Sequence, residues 1–164
     1  MRLFKQTAGI LAAGASLVLL VGTAPAVAES PFKDLVGTWS GKGTARLESG
    51  KRERLSCKGY YTGSGSSTLR LNIICANPST KVELRSKLKY ANGRVTGSWE
   101  ERNYNQQGTI TGTATESKLR LSIGGGALQG RLSVEIDDSN KQSVQLSTSG
   151  SALRGVSITF TRIS

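Results

Sequence analysis

Leu35-Val36-Gly37-Thr38-Trp39-Ser40-Gly41-Lys42-Gly43 is the stretch that decides the fold. Extended to Leu47 it alternates. Leu35, Gly37, Trp39, Gly41, Gly43, Ala45 and Leu47 occupy odd positions, and Thr38, Ser40, Lys42, Thr44 and Arg46 occupy even ones. A period of two puts the odd set on one side of a β-strand, so the spacing predicts a strand over residues 35–47 with that set facing a core. Trp39 is the aromatic of the inward set and reads as a plug at one end of that core. Gly41 and Gly43 beside it predict a bend, or a close approach of a second backbone.

Upstream, residues 29–34 form a short lead-in, and residues 1–28 read as a secretory signal peptide. Arg2 and Lys5 are its basic start, residues 8–21 its apolar run, and Ala26-Val27-Ala28 a small-residue cleavage site. The run is short for a spanning helix, and no cysteine follows the cleavage site, so the pattern implies a secreted or periplasmic protein without a lipid anchor. Of 164 residues, 136 follow Ala28, enough for one domain with one core. They carry 20 basic residues against 11 acidic ones, a balance that favours anionic partners or serves solubility alone. Export makes a Cys57–Cys75 disulfide the expected state of the two cysteines.

Downstream, turn residues punctuate nine further short alternating runs, at about 52–61, 68–75, 81–90, 94–101, 107–115, 118–124, 127–136, 142–148 and 153–163. If Cys57 faces Cys75, then Gly59 faces Ile73 and Tyr61 faces Leu71, all on the apolar side, so disulfide and hydrophobic pattern predict one register. Asn92-Gly93 is a hairpin signal that pairs Tyr90 with Val95 and Ser86 with Trp99, and on the outer side Arg85 with Glu100 and Glu83 with Arg102. A turn at Glu116-Ser117 sets Ile110 against Ile123. A turn at Gly125-Gly126 sets Ile123 against Leu128, and with it Arg120 against Arg131, an unfavourable pair that calls for a bulge. Short connections imply antiparallel neighbours, and an even strand number lets the last strand close on the first. The expected fold is all-β, an antiparallel up-and-down barrel of about ten strands without helix. A two-sheet sandwich of the same strands is the alternative.

Leu35-Val36-Gly37-Thr38-Trp39 resembles the G-x-W opening of the calycin superfamily, which includes lipocalins, fatty-acid-binding proteins and avidins. Gly37-Thr38-Trp39-x-Gly41-x-Gly43 looks most like the start of nitrobindin-type ten-stranded barrels. The resemblance implies a calycin-like barrel over residues 35–164, with a basic residue of a late strand over the tryptophan, and Arg162 fits that place. Thr161-Arg162-Ile163 also resembles the end of fatty-acid-binding proteins, where the arginine helps hold a ligand carboxylate with a tyrosine two residues on. Ser164 stands at that position here. The haem-binding histidine of nitrobindins is missing, and a four-residue loop replaces the helical lid of fatty-acid-binding proteins.

The chain has no histidine, which removes Ser-His-Asp and Cys-His nucleophile arrangements and His-based zinc sites. No enzyme, metal or cofactor is expected. The candidate lumen or barrel-floor residues are Trp39, Tyr61, Tyr90, Trp99, Glu101 and Arg162. Arg162 over Trp39 reads either as a cation–π contact closing the floor or as a ligand anchor. Glu101, an acid on the inward pattern, is either a solvated strand end or a polar contact inside the mouth. An entrance is expected at the end opposite Trp39, and inward Gly and Ala leave room for a cavity or for flattening. Strand parity puts Arg52, Arg54, Lys58, Arg70, Lys81, Arg85, Lys87 and Lys89 outside, among Tyr60 and Ile74. They form either a docking patch for an anionic envelope surface or a solvated face. The function read from this is exported binding of a small apolar or amphipathic ligand in the lumen. The alternative is an interaction module using the basic face or rim, which could act like the small exported protease inhibitors that share an early G-x-W and one disulfide. Nucleic acid is not expected as a partner.

Overall fold

Tight polar turns between alternating runs force each strand antiparallel to the one before it. The computed structural model describes residues 29–126 and 128–164, and the expected signal peptide lies outside the described residues. One helical turn, α1 (Phe32–Leu35), precedes ten strands: β1 (Gly37–Leu47), β2 (Arg52–Ser64), β3 (Thr68–Ala76), β4 (Lys81–Ala91), β5 (Arg94–Glu101), β6 (Gln106–Ala114), β7 (Lys118–Gly125), β8 (Leu128–Asp138), β9 (Lys141–Ser149) and β10 (Leu153–Arg162). Each pairs with the next and β10 pairs with β1, so the sheet is a closed barrel and not a sandwich. Closure leaves no free sheet edge.

Two registers follow the local signals. Cys57 faces Cys75, Gly59 faces Ile73 and Tyr61 faces Leu71 across β2 and β3, with the two cysteines bridged. Tyr90 faces Val95 and Ser86 faces Trp99 around Asn92-Gly93, both of which adopt positive φ, as the turn requires.

Three expectations are corrected. Leu35 does not begin the first strand: it ends α1, and strand pairing starts at Gly37. Ile123 faces Gly130 and not Leu128, a shift of two residues that sets Arg120 against Ser133 and Arg131 against Ser122. The like-charge clash is thereby removed without a bulge. Gly125 is the cause, because it is the last residue of β7 rather than part of the turn. It has φ +128, and a Cβ there would collide with Gly108 of β6. Finally, Arg85 does face Glu100, but its guanidinium donates at 3.0 and 2.7 Å to Glu83 two residues back on its own strand.

The core is not uniform along the barrel axis. At the end where β1 starts and β10 stops, Trp39, Tyr61, Leu69, Leu88, Val95, Leu119 and Phe160 are buried. Toward the other end several inward side chains are half-buried, although Ala45, Cys57, Trp99 and Thr148 stay buried there. On β3 the sequence runs from buried Leu69 to half-buried Leu71, Ile73 and Cys75, and on β10 from buried Phe160 and Ile158 to half-buried Val156. The barrel is packed most tightly at the Trp39 end.

Candidate functional site

The floor of the barrel is built from both chain ends. Phe32 and Leu35 of α1 are buried beneath the barrel, with the Phe32 ring 5.9 Å from Tyr90. Trp39 Nε1 donates to the Leu35 carbonyl at 2.9 Å, and the Trp39 ring lies 6.0 Å from Tyr61. Arg162, directly opposite Trp39 in the β1–β10 ladder, sets its guanidinium 4.3 Å from the indole centroid. Its Nε donates to the Ser139 carbonyl at 2.6 Å, and its two terminal nitrogens donate to the carbonyls of Val36 and Asp34. The guanidinium therefore ties α1, β1 and the β8–β9 turn together. Its donors already serve main-chain acceptors, an arrangement that closes a floor.

Above the floor, the Tyr61 ring lies along Gly59, where a Cβ would sit 2.8 Å from the ring. Glycine is the residue that lets Tyr61 lie flat on the inner wall. Burial pushes the Tyr61 hydroxyl well above its ordinary range, and the neighbouring Gln142 side chain partly opposes that. Gln142 is 2 % exposed, and its Nε2 has no hydrogen-bond partner among the described residues. Gln142 was missed from the sequence, although it shares the inward parity of Val144 and Leu146.

The upper half is an apolar bowl. Leu55, Ile73, Leu84, Ile123, Leu132 and Val144 pack against the core yet remain half-buried. Trp99 lies on this wall, higher than the other aromatics, and donates to the Gly124 carbonyl at 3.3 Å. The Cys57–Cys75 bridge belongs to the same wall. At the rim the carboxylates are engaged. Glu101 is buried, not solvated, and accepts from the main-chain N–H groups of Glu83, Asn103 and Tyr104 at 3.0, 3.1 and 2.6 Å. It organises the β5–β6 turn, which carries exposed Tyr104 at the mouth. Glu101→Ala strands three main-chain donors, and we expect it to lower stability in denaturant titrations by about 1–3 kcal/mol. A neutral result would show that water replaces the carboxylate freely. Glu53, a second inward acid that the sequence reading overlooked, meets Lys51 Nζ at 2.8 Å and accepts from Asn77 Nδ2 at 2.7 Å. The hydrogen bond from Lys51 holds its carboxyl below the usual range against the opposing effect of desolvation.

Outside, Arg52, Arg54, Lys58, Arg70, Lys81, Arg85, Lys87 and Lys89 are all exposed on β2–β4, as parity places them. Among the described residues no group of three or more His, Cys, Asp or Glu side chains is placed to hold a metal ion.

No protein-family model matches the chain, and no curated protein matches it in sequence. Solved structures do match in fold. Rv2717c from M. tuberculosis superposes with a TM-score of 0.67 at 17 % identity, over 80 % of this chain and 94 % of its own. The S-type phycobiliprotein lyase CPES from Guillardia theta gives 0.63 at 10 % identity, over 81 % and 90 %. EF1p2_mFAP2b, solved bound to DFHBI, gives 0.50 at 12 % identity, over 79 % and 94 %. Together with the closed ten-strand topology, these likenesses show an antiparallel up-and-down barrel fold.

Proposed function

We propose that the protein is an exported, non-enzymatic binding protein that holds a small apolar or amphipathic molecule in the open half of its barrel. The observation that carries this reading is the burial gradient. The same inward apolar pattern is closed at Leu69 and Phe160 and left half-covered at Ile73, Leu84, Ile123 and Val144. Partly covered apolar side chains converging in a concavity gain from a ligand that removes them from water. The charged groups on the inward pattern have other tasks: Arg162 holds the floor, Glu101 the turn, and Glu53 a rim pair. The bowl therefore suits a neutral or amphipathic guest whose polar end stays at the mouth. Two of the fold's neighbours support the reading by their names, a phycobiliprotein lyase and a barrel bound to DFHBI. Export is supported by the disulfide and by the pattern of residues 1–28.

The test combines two measurements on the mature protein taken from its own exported fraction. Native mass spectrometry is expected to show extra mass that denaturation removes, on a chain beginning at Glu29. After delipidation, Nile red is expected to bind with a blue-shifted, saturable signal. A bare native mass together with no Nile red uptake would overturn the proposal.

A further inference from the structure

The basic charge of the molecule is concentrated on one outer face. Residues 37–91, which contain β1–β4, hold eleven basic and three acidic residues, whereas residues 92–164 hold eight and six. Within the basic face, like charges stand directly opposite each other: Arg46 faces Arg52, and Arg70 faces Lys87. Among the described residues no carboxylate is within ion-pairing distance of any of the four. Directly opposed like charges destabilise a sheet, so the fold alone gains nothing from this arrangement.

An open trough of about 810 Å³ crosses the outside of β2–β6 beside the Arg70–Lys87 pair. It spans four strand spacings, about 19 Å. Short hydroxyl side chains, Thr62, Ser98 and Thr109, line it in one cross-strand row, with Arg70 and Lys87 standing among them. The neighbouring row runs Tyr60, Asn72, Arg85, Glu100 and Gln107, and Tyr60 is 42 % exposed. Asn72 Oδ1 in that row is buried and accepts no hydrogen bond among the described residues.

We infer that this trough binds a strand of acidic polysaccharide. The cations meet carboxylate or other acidic groups, the hydroxyl and amide side chains meet sugar hydroxyls, and the exposed Tyr60 ring offers a flat apolar face to a sugar ring. Glu100 at the far end of the trough can accept from sugar hydroxyls, which each unit of such a polymer carries beside its acidic group. A flat bilayer cannot enter a concave trough lined by hydroxyl and amide groups. The trough also touches Leu71 and Trp99 of the inner wall, but the outward side chains that would hold the polymer are not those of the bowl, so the two readings are tested by different variants.

Isothermal titration of the mature protein with polygalacturonate is expected to give saturable, salt-sensitive binding, and neutral dextran to give none. Arg70→Glu places opposite charges across β3 and β4. It should leave thermal stability unchanged or raised while weakening polygalacturonate binding about tenfold or more. Tyr60→Ala should weaken it about threefold. Arg131→Glu makes the same charge change on exposed β8 and should stay within about twofold of wild type. Nile red uptake should be unaffected by any of the three variants. Equal losses from Arg70→Glu and Arg131→Glu would reduce the effect to net charge and overturn the trough. Absence of polygalacturonate binding, or displacement of it by phosphatidylglycerol vesicles that bind more tightly, would overturn the polysaccharide assignment.

Discussion

Trp39→Ala is expected to cost about 4 kcal/mol of unfolding free energy, the largest stability loss from any single substitution considered for this barrel. The indole is fully buried and fixes three things at once. It donates to the Leu35 carbonyl and so holds α1 beneath the barrel. It packs beside Tyr61, and it carries the Arg162 guanidinium on its face. Truncation leaves a cavity between two chain ends that the remaining side chains cannot reach across, and it leaves Arg162 held by carbonyls alone. For a domain of this size the loss corresponds to a fall in Tm of about 15 °C, readable by circular dichroism with urea titration as the check. Trp39→Phe, which keeps an aromatic but loses the N–H, should recover more than half of the difference. A cost under about 1 kcal/mol for the alanine variant would show that the floor is not sealed at Trp39.

The floor was legible in the sequence because its determinants are local and redundant. The alternation around Trp39 sets the inward face, and Arg162 shares the inward face of Val156, Ile158 and Phe160 in the final strand. Antiparallel closure then brings the two together without further information. The registers of β2–β3 and β4–β5 were legible for a similar reason, since a covalent link and an Asn-Gly turn each specify pairing on their own. The β7–β8 register was not, because Gly125 serves a contact with β6, a strand that precedes it in the chain, and not the turn beside it. A glycine signal does not say which neighbour needs the missing side chain. The Arg120–Arg131 clash implied by the mistaken register was the available warning, and a shift of two residues relieves it while keeping every side chain on its face. Glu53 and Gln142 show a different limit. Both lie on the inward pattern, yet whether an inward polar group is solvated, paired or orphaned depends on partners distant in the chain, Asn77 for one and Tyr61 for the other. Glu101 likewise could be placed at a strand end, but its three main-chain donors belong to two segments that only the folded chain brings together.

Ile73→Trp and Leu69→Trp should have opposite consequences, although both enlarge an inward apolar side chain of β3 only four residues apart. Leu69 is 0 % exposed in the packed half, where added volume has nowhere to go. There, tryptophan forces neighbours off their rotamers and should destabilise by about 1–3 kcal/mol. Ile73 is half-buried in the open half, so a larger ring can extend over the bowl and cover apolar surface that water now reaches. Ile73→Trp should therefore keep or slightly raise Tm, yet weaken Nile red binding about a hundredfold by occupying the space that a ligand would fill. The pairing separates the two halves of the barrel in one experiment. If Ile73→Trp destabilised as much as Leu69→Trp, the upper half would be packed core and the lumen could not hold a guest. If it folded normally and Nile red still bound at wild-type strength, the bowl would be open but the dye would sit elsewhere. Stability retained with uptake lost is the outcome that a tightly packed base and an open, ligand-sized upper half require.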